Sequence, residues 1–170
     1  MDTGYNFEKL ESNLRSPEAL LSTNPVMLAL STFKHSDKAI EVAIDKASQC
    51  KKLVIVYGRE VNLWLYFMET DIGLFPGLKE QCEKELLTEI EQQWEEKVEA
   101  VANRARAEGL QVTIYVRAKS FKKLCLEIAE KEKPLVIITT RTLRPAWIRS
   151  LFRSPADYLA SQKGCSVIEA

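Results

Sequence analysis

The chain has 170 residues, enough for one domain with a two- or three-layer core. It is 46% hydrophobic and 28% charged, the composition of an ordinary globular protein. Lys+Arg and Asp+Glu each number 24, a balance that argues against a dedicated nucleic-acid binder, whose phosphate contacts require a basic excess.

Residues 1–25 read as an N-terminal arm or linker. They are polar, with a weak helical stripe at Phe7, Leu10 and Leu14, and Ser16-Pro17 offers a cap for a short helix over residues 18–21. The opening MDTGYNFEKL lacks the basic start and apolar core of a signal peptide, and no apolar run approaches the roughly 18 residues of a membrane span. The expectation is a cytoplasmic protein with no membrane insertion.

Residues 26–170 carry the regular pattern. Residues 26–30 (VMLAL) are apolar throughout, as in a strand buried on both faces. Ser36-Asp37 is a cap signal for a helix whose Ile40, Ala43, Ile44 and Ala47 recur at helical spacing. Residues 53–57 (LVIVY) form a second buried strand. The segment 61–75 (VNLWLYFMETDIGLF) is apolar without a clear period. Its Trp64, Tyr66, Phe67 and Phe75 read as a lid on the core or as a partner surface.

A long helix is predicted from about 78 to 108, on the stripe Cys82, Leu86, Ile90, Trp94, Val98, Val101 and Ala105, with Gly109 as its stop. Residues 110–116 alternate as a third strand. Ser120 opens a helix through Leu124, Ile128 and Ala129, and Pro134 ends it before the apolar strand 135–138 (LVII). A polar, arginine-rich loop leads to a helix at Ser154-Pro155, and residues 165–168 (CSVI) close the chain as a last strand.

Five such strands joined by amphipathic helices predict an α/β fold: a Rossmann-like, doubly wound, five-stranded parallel sheet with helices on both faces. Ligands of such sheets sit beyond the carboxyl ends of the strands, where strand order reverses. With the first and fourth strands as central neighbours, that point falls between the loops after Leu30 and after Ile138.

Three stretches together resemble the universal stress protein family. VMLALSTFKHSDKAIEVAIDKA resembles its first strand, loop and helix. VRAKSFKKLCLEIAEKEKPLVIITT resembles its third and fourth strands with the helix between them, and SPADYLASQKGCSVIEA resembles its closing helix and strand. The likeness spans about residues 26–170 and rests on order and spacing rather than on one motif.

In the ATP-binding branch of that family an aspartate follows the first strand and a G-x-x-G-x9-G-[S/T] loop follows the fourth. Glycines there let backbone amides approach phosphates near a helix N-terminus. This chain has Ser31 or Thr32 at the aspartate's place. The first two glycines are Thr140 and Leu143, or Thr139 and Thr142 in the neighbouring register, and the final pair is Arg153-Ser154. No glycine occurs from Thr139 through Ser154. The resemblance is therefore to the branch that lacks the glycine motif. It implies a non-enzymatic module of stress response or signalling, with no cofactor and ATP or AMP disfavoured.

The alternative is a nucleotide- or anion-binding sensor. Its candidate site residues are Ser31, Thr32, Thr139, Thr140, Arg141, Thr142, Arg144, Arg153 and Ser154, because the arginine fork suits phosphate or carboxylate. Against it stands a solvated loop whose arginines, Arg149 among them, pair with local carboxylates, with Trp147 and Ile148 anchoring it to the sheet. His35, the sole histidine, has no nucleophile motif beside it and reads as a loop tip. No catalytic residue and no metal site is expected. An enzyme of the wider nucleotide α-hydrolase-like fold group and a regulatory domain of a transporter are weaker alternatives.

Cys50, Cys82, Cys125 and Cys165 show no CxxC spacing and read as reduced structural thiols. In the resembled family the last strand pairs with its copy in a second subunit. A homodimer through Ser166, Val167 and Ile168 is accordingly expected, since an apolar edge tends to be covered. The aromatics of the 61–75 stretch are where a further protein partner would bind; nucleic acid is not expected.

Overall fold

A computed structural model describes residues 24–64, 67, 76–141, 155–161 and 166–170. Of the residues singled out above, the arm through residue 23, Tyr66, Phe75, Thr142, Leu143, Arg144, Trp147, Ile148, Arg149, Arg153, Ser154 and Cys165 lie outside this set. The elements are β1 (Val26–Leu30), α1 (Asp37–Cys50), β2 (Lys52–Gly58), α2 (Pro76–Ala107), β3 (Gln111–Arg117), α3 (Phe121–Glu132), β4 (Val136–Thr139), α4 (Pro155–Ser161) and β5 (Ser166–Glu169). They fall within one or two residues of the predicted bounds, the usual scatter of element ends.

All pairings are parallel, and the sheet order is β3-β2-β1-β4-β5. The apolar runs explain why β1 and β2 are central. Every residue of β1 is buried, because helices cover both faces and each side chain needs an apolar neighbour whichever way it points. Val26, Leu28 and Leu30 join Leu53, Ile55, Tyr57 and Ile138 under α1 and α2. Met27 and Ala29 join Val54, Val56 and Ile137 on the opposite face, under α3 and α4.

Of the predicted stripes, Ile44, Ala129 and, in α2, Cys82, Leu86, Ile90, Trp94 and Val101 are only half-buried, and the helices bury the remaining positions with some of their neighbours. In α1 these are Ala39, Ile40, Ala43, Ala47 and Cys50, and in α3 Leu124, Cys125 and Ile128. Both helices end on a lysine in the left-handed region, Lys51 at φ 59° and Lys133 at φ 47°. Each returns its N–H to a carbonyl four residues back, at 2.7 Å to Ala47 and 2.9 Å to Ala129. Glycine is the usual residue at such a stop, because it alone escapes the Cβ clash. Gly58, at the end of β2, has a packing role instead. A Cβ there would stand 2.7 Å from Leu124 Cδ2, so its absence lets α3 approach the strand.

α2 has 32 residues and is about 48 Å long, whereas the seven-residue β2 spans about 23 Å. Its buried residues are Val98, Ala102 and Ala105, all in the last third. The helix thus packs on the sheet through its C-terminal part. Gly109, at φ 77°, turns the chain into β3.

One expectation needs correction. Ser36 and Ser120 do occupy the N-cap positions of α1 and α3, but neither hydroxyl makes a capping hydrogen bond. Ser36 sits in a helical backbone conformation, and its Oγ turns back to donate to the carbonyl of Phe33 at 2.8 Å. A cap requires an extended backbone to aim the hydroxyl at the first free N–H groups. The structure uses this serine to hold the preceding loop. Cys50 and Cys125 are buried, and Cys82 is half-buried.

Candidate functional site

Strand order reverses between β1 and β4: the chain leaves β1 for one side of the sheet and β4 for the other. The register sets Ala29 beside Thr139, so the loops after Leu30 and after Thr139 emerge from neighbouring strands at the carboxyl edge. Ser31, Thr32, Thr139, Thr140 and Arg141 therefore share one end of the sheet, as their spacing predicts.

Their surroundings differ sharply. Ser31 and Thr32 are exposed, and Thr32 Oγ1 accepts the N–H of Lys34 at 3.1 Å, closing a tight turn. Thr139 is buried, and its carbonyl accepts the N–H of Ala170 at 3.0 Å. Arg141 is exposed, with its backbone N–H donating to the carbonyl of Ala170 at 2.9 Å. The C-terminal residue thus extends the β4–β5 ladder and fixes where Arg141 leaves the sheet.

Thr140 lies between these two. Its Oγ1 is buried and has no hydrogen-bond partner. A buried hydroxyl without a partner loses the water it would otherwise bind, at a cost of about 1–3 kcal/mol, so such groups are uncommon away from functional positions.

The loop after β1 brings a feature that no sequence motif announced. Phe33 is half-buried, while Ser31, Thr32, Lys34 and His35 around it are exposed. Its ring lies parallel on Tyr57 at the end of β2, with centroids 4.4 Å apart and 11° between planes. Tyr57 in turn meets Trp94 of α2 edge-on at 5.2 Å and 64°. The ammonium of Lys97 stands 5.9 Å from the Phe33 centroid. Burial pushes the Tyr57 phenol above its ordinary range, and the positive charge of Arg59 partly opposes the shift.

The loop is held by the Thr32 turn and the Ser36 hydroxyl, yet it carries a left-handed His35 at φ 59°. That conformation costs a non-glycine residue about 1–2 kcal/mol. His35 stands at an exposed loop tip, where the sequence places it. The sequence signal that could have exposed Phe33 is its own setting: one aromatic residue within STFKHS, a run of otherwise polar residues just past a buried strand.

The stretch 61–75 divides where it is described. Phe67 is buried, with Lys79 of α2 over its ring at 5.9 Å, whereas Trp64 is 61% exposed. A separate groove of about 370 Å³ lies between α1 and α2 and includes Glu41, Asp45, Lys51 and Arg104. Arg104 is already paired with Glu41 at 3.4 Å, so opposite charges within the groove offset each other. Among the described residues, no cluster of His, Cys, Asp and Glu could hold a metal ion, and no helix is long and apolar enough to cross a membrane.

No family model and no curated protein sequence matches the chain. Solved structures do. The hypothetical protein MJ0577 superposes with a TM-score of 0.62 at 16% identity, covering 87% of this chain and 97% of that one. A universal stress protein from Archaeoglobus fulgidus DSM 4304 gives 0.54 at 16% identity over 87% of this chain, which spans 44% of that longer protein. A universal stress protein solved in complex with cAMP gives 0.53 at 14% identity, over 88% of this chain and 98% of that one. The fold is that of the universal stress proteins. Within the universal stress protein fold, the parallel five-stranded sheet and its helices stand as the sequence predicted them. The described part of the loop after β4 consists of Thr140 and Arg141, with no glycine.

Proposed function

We propose that the chain is a non-enzymatic regulatory or interaction module of the universal stress protein family, cytoplasmic and acting in stress response or signalling. It would not hold ATP in the manner of the glycine-loop branch. The observation that carries this reading is the Phe33–Tyr57–Trp94 stack. It fills the carboxyl edge beside β1 with the protein's own rings, at the end of the sheet where ligands of such folds sit. A threonine where the glycine-loop branch has its first glycine, Thr140 or, in the neighbouring register, Thr139, supports it from the other side of the crevice. Titration of ATP into the purified protein by calorimetry is expected to give no micromolar binding. A micromolar dissociation constant, abolished by mutation at Thr140, would overturn the reading.

A second reading, a nucleotide or anion sensor, is favoured by the unpartnered hydroxyl of Thr140 beside the exposed Arg141. The cAMP complex of a protein sharing the fold supports it as well. The energies are close enough to make competition realistic. An aromatic pair contributes about 0.5–1.5 kcal/mol, and a base stacked on an aromatic side chain about 1–3 kcal/mol.

Homodimerisation through β5 belongs to the same proposal. β5 is an edge of the sheet, with Val167 and Ile168 half-buried and Ser166 exposed. Sedimentation at tens of micromolar is expected to show a dimer, and a monomer throughout that range would rule the pairing out.

A further inference from the structure

Tyr57 and Leu30 are register partners on the same face of the sheet. One residue beyond the Ala29–Thr139 pair, alternation brings Thr140 into the same row and onto that face. Tyr57 and Thr140 then stand two strand spacings apart, about 10 Å, with Leu30 between them. One end of this row offers a flat aromatic ring, and the other a buried, unsatisfied hydroxyl next to an exposed guanidinium. A planar ring bearing an anionic tail is complementary to both ends.

The ring end is occupied by Phe33. We infer that Phe33 is an internal plug on a latent nucleoside-phosphate site: its phenyl takes the place of a ligand's base on Tyr57 and leaves when the loop after β1 opens. This inference rests on the sensor reading of the same crevice. Three features mark the contact as displaceable. The phenyl is half-buried, unlike the core residues beneath it. It is carried by a loop whose other residues from Ser31 to His35 are exposed and polar, held by the Thr32 turn and by the Ser36 hydroxyl on the Phe33 carbonyl. The loop also contains left-handed His35, so the closed conformation is strained. Lys97, now over the phenyl, would stand over an incoming base.

A ligand that binds only the open loop sees its affinity reduced by the open fraction. Removing the plug abolishes that reduction. With AMP as the probe in calorimetry, Phe33→Ala is expected to bind at least about tenfold tighter than wild type, which corresponds to a loop open about one tenth of the time or less. Adding Tyr57→Leu should return the affinity to the wild-type level, and adding Thr140→Val should remove part of the gain.

Equal AMP affinity in wild type and a cooperatively melting Phe33→Ala protein overturns the inference, as does no AMP binding in any variant. If Phe33→Ala fails to fold, Ser36→Ala releases the clamp while keeping the ring. It should tighten AMP binding about threefold or more, and no change overturns the plug. Inorganic phosphate separates this proposal from the reading beneath it. Phosphate bound alike by wild type and Phe33→Ala, and lost in Arg141→Ala, with no gain for AMP, refutes the plug and leaves the anion sensor standing. Micromolar ATP binding by wild type would instead refute the non-binding module.

Discussion

Leu28→Ala is expected to cost about 2–5 kcal/mol of folding stability, a large part of the roughly 5–15 kcal/mol that holds a domain together. Leu28 is fully buried in the middle of β1, the strand at the centre of the sheet. Its neighbours Val26, Leu30, Ile40, Ala43, Ile55 and Ile138 belong to the same core cluster. They come from β1, α1, β2 and β4, held by ladders on both sides of β1. Such a frame cannot collapse onto a smaller side chain, so the lost burial is compounded by a cavity. Leu78→Ala supplies the control. Leu78 is 48% exposed, and its truncation should stay within about 0.5 kcal/mol. Urea melts of the two variants measure the difference, and similar midpoints would contradict the packing described for β1.

The second large effect concerns Cys125. Burial alone pushes its thiol up from 9.0 to about 12. The thiolate is the form that reacts with alkylating agents, and its population falls tenfold for each pH unit that separates the solution from the pKa. At mildly alkaline pH the native Cys125 should therefore react with iodoacetamide at least about 100-fold more slowly than in the unfolded chain. Half-buried Cys82 should be labelled before Cys125. Peptide mapping by mass spectrometry after timed labelling tests this, and equal rates at the two cysteines would refute it.

The same shift has a consequence for stability. The folded state holds the proton more tightly than the unfolded one, so the contribution is fully present below pH 9.0 and is lost as pH rises through about 12. Across that window this thiol removes about 1.4 kcal/mol of stability per pH unit. Tyr57, raised above 10.0 chiefly by burial, adds a loss of the same sign at the alkaline end. Alkaline unfolding should thus set in earlier than a count of surface charges suggests. Replacing Cys125 with alanine should flatten the lower part of the decline.

Much of the architecture was legible because its signals are local. VMLAL and LVIVY are apolar at every position, a pattern satisfied only by a strand covered on both faces. The stripe from Cys82 to Ala105 keeps helical spacing throughout, and Gly109 follows it where the chain must turn with positive φ. The gathering of Ser31, Thr32, Thr139, Thr140 and Arg141 at one end of the sheet followed from strand order alone. The Ser36 cap was misread for a physical reason, whereas nothing in the structure explains why Ser120 makes no cap bond. A hydroxyl before a helix can serve the first N–H groups or a preceding carbonyl, and backbone angles that no sequence pattern encodes decide between them.

Periodicity determines that this chain forms a doubly wound parallel sheet, and the residue types show that no glycine occurs from Thr139 through Ser154. Both depend on residue types at short spacing. What stands in the crevice at the carboxyl edge was decided only in three dimensions. Phe33, Tyr57 and Trp94 are remote from one another in the chain and meet because β1, β2 and α2 converge at one corner. The Thr140 hydroxyl is unpartnered for a similar reason, since burial and partner count belong to the surroundings and not to the residue. Short-range patterns specify elements, whereas the stacking and desolvation that shape a site arise from contacts between elements.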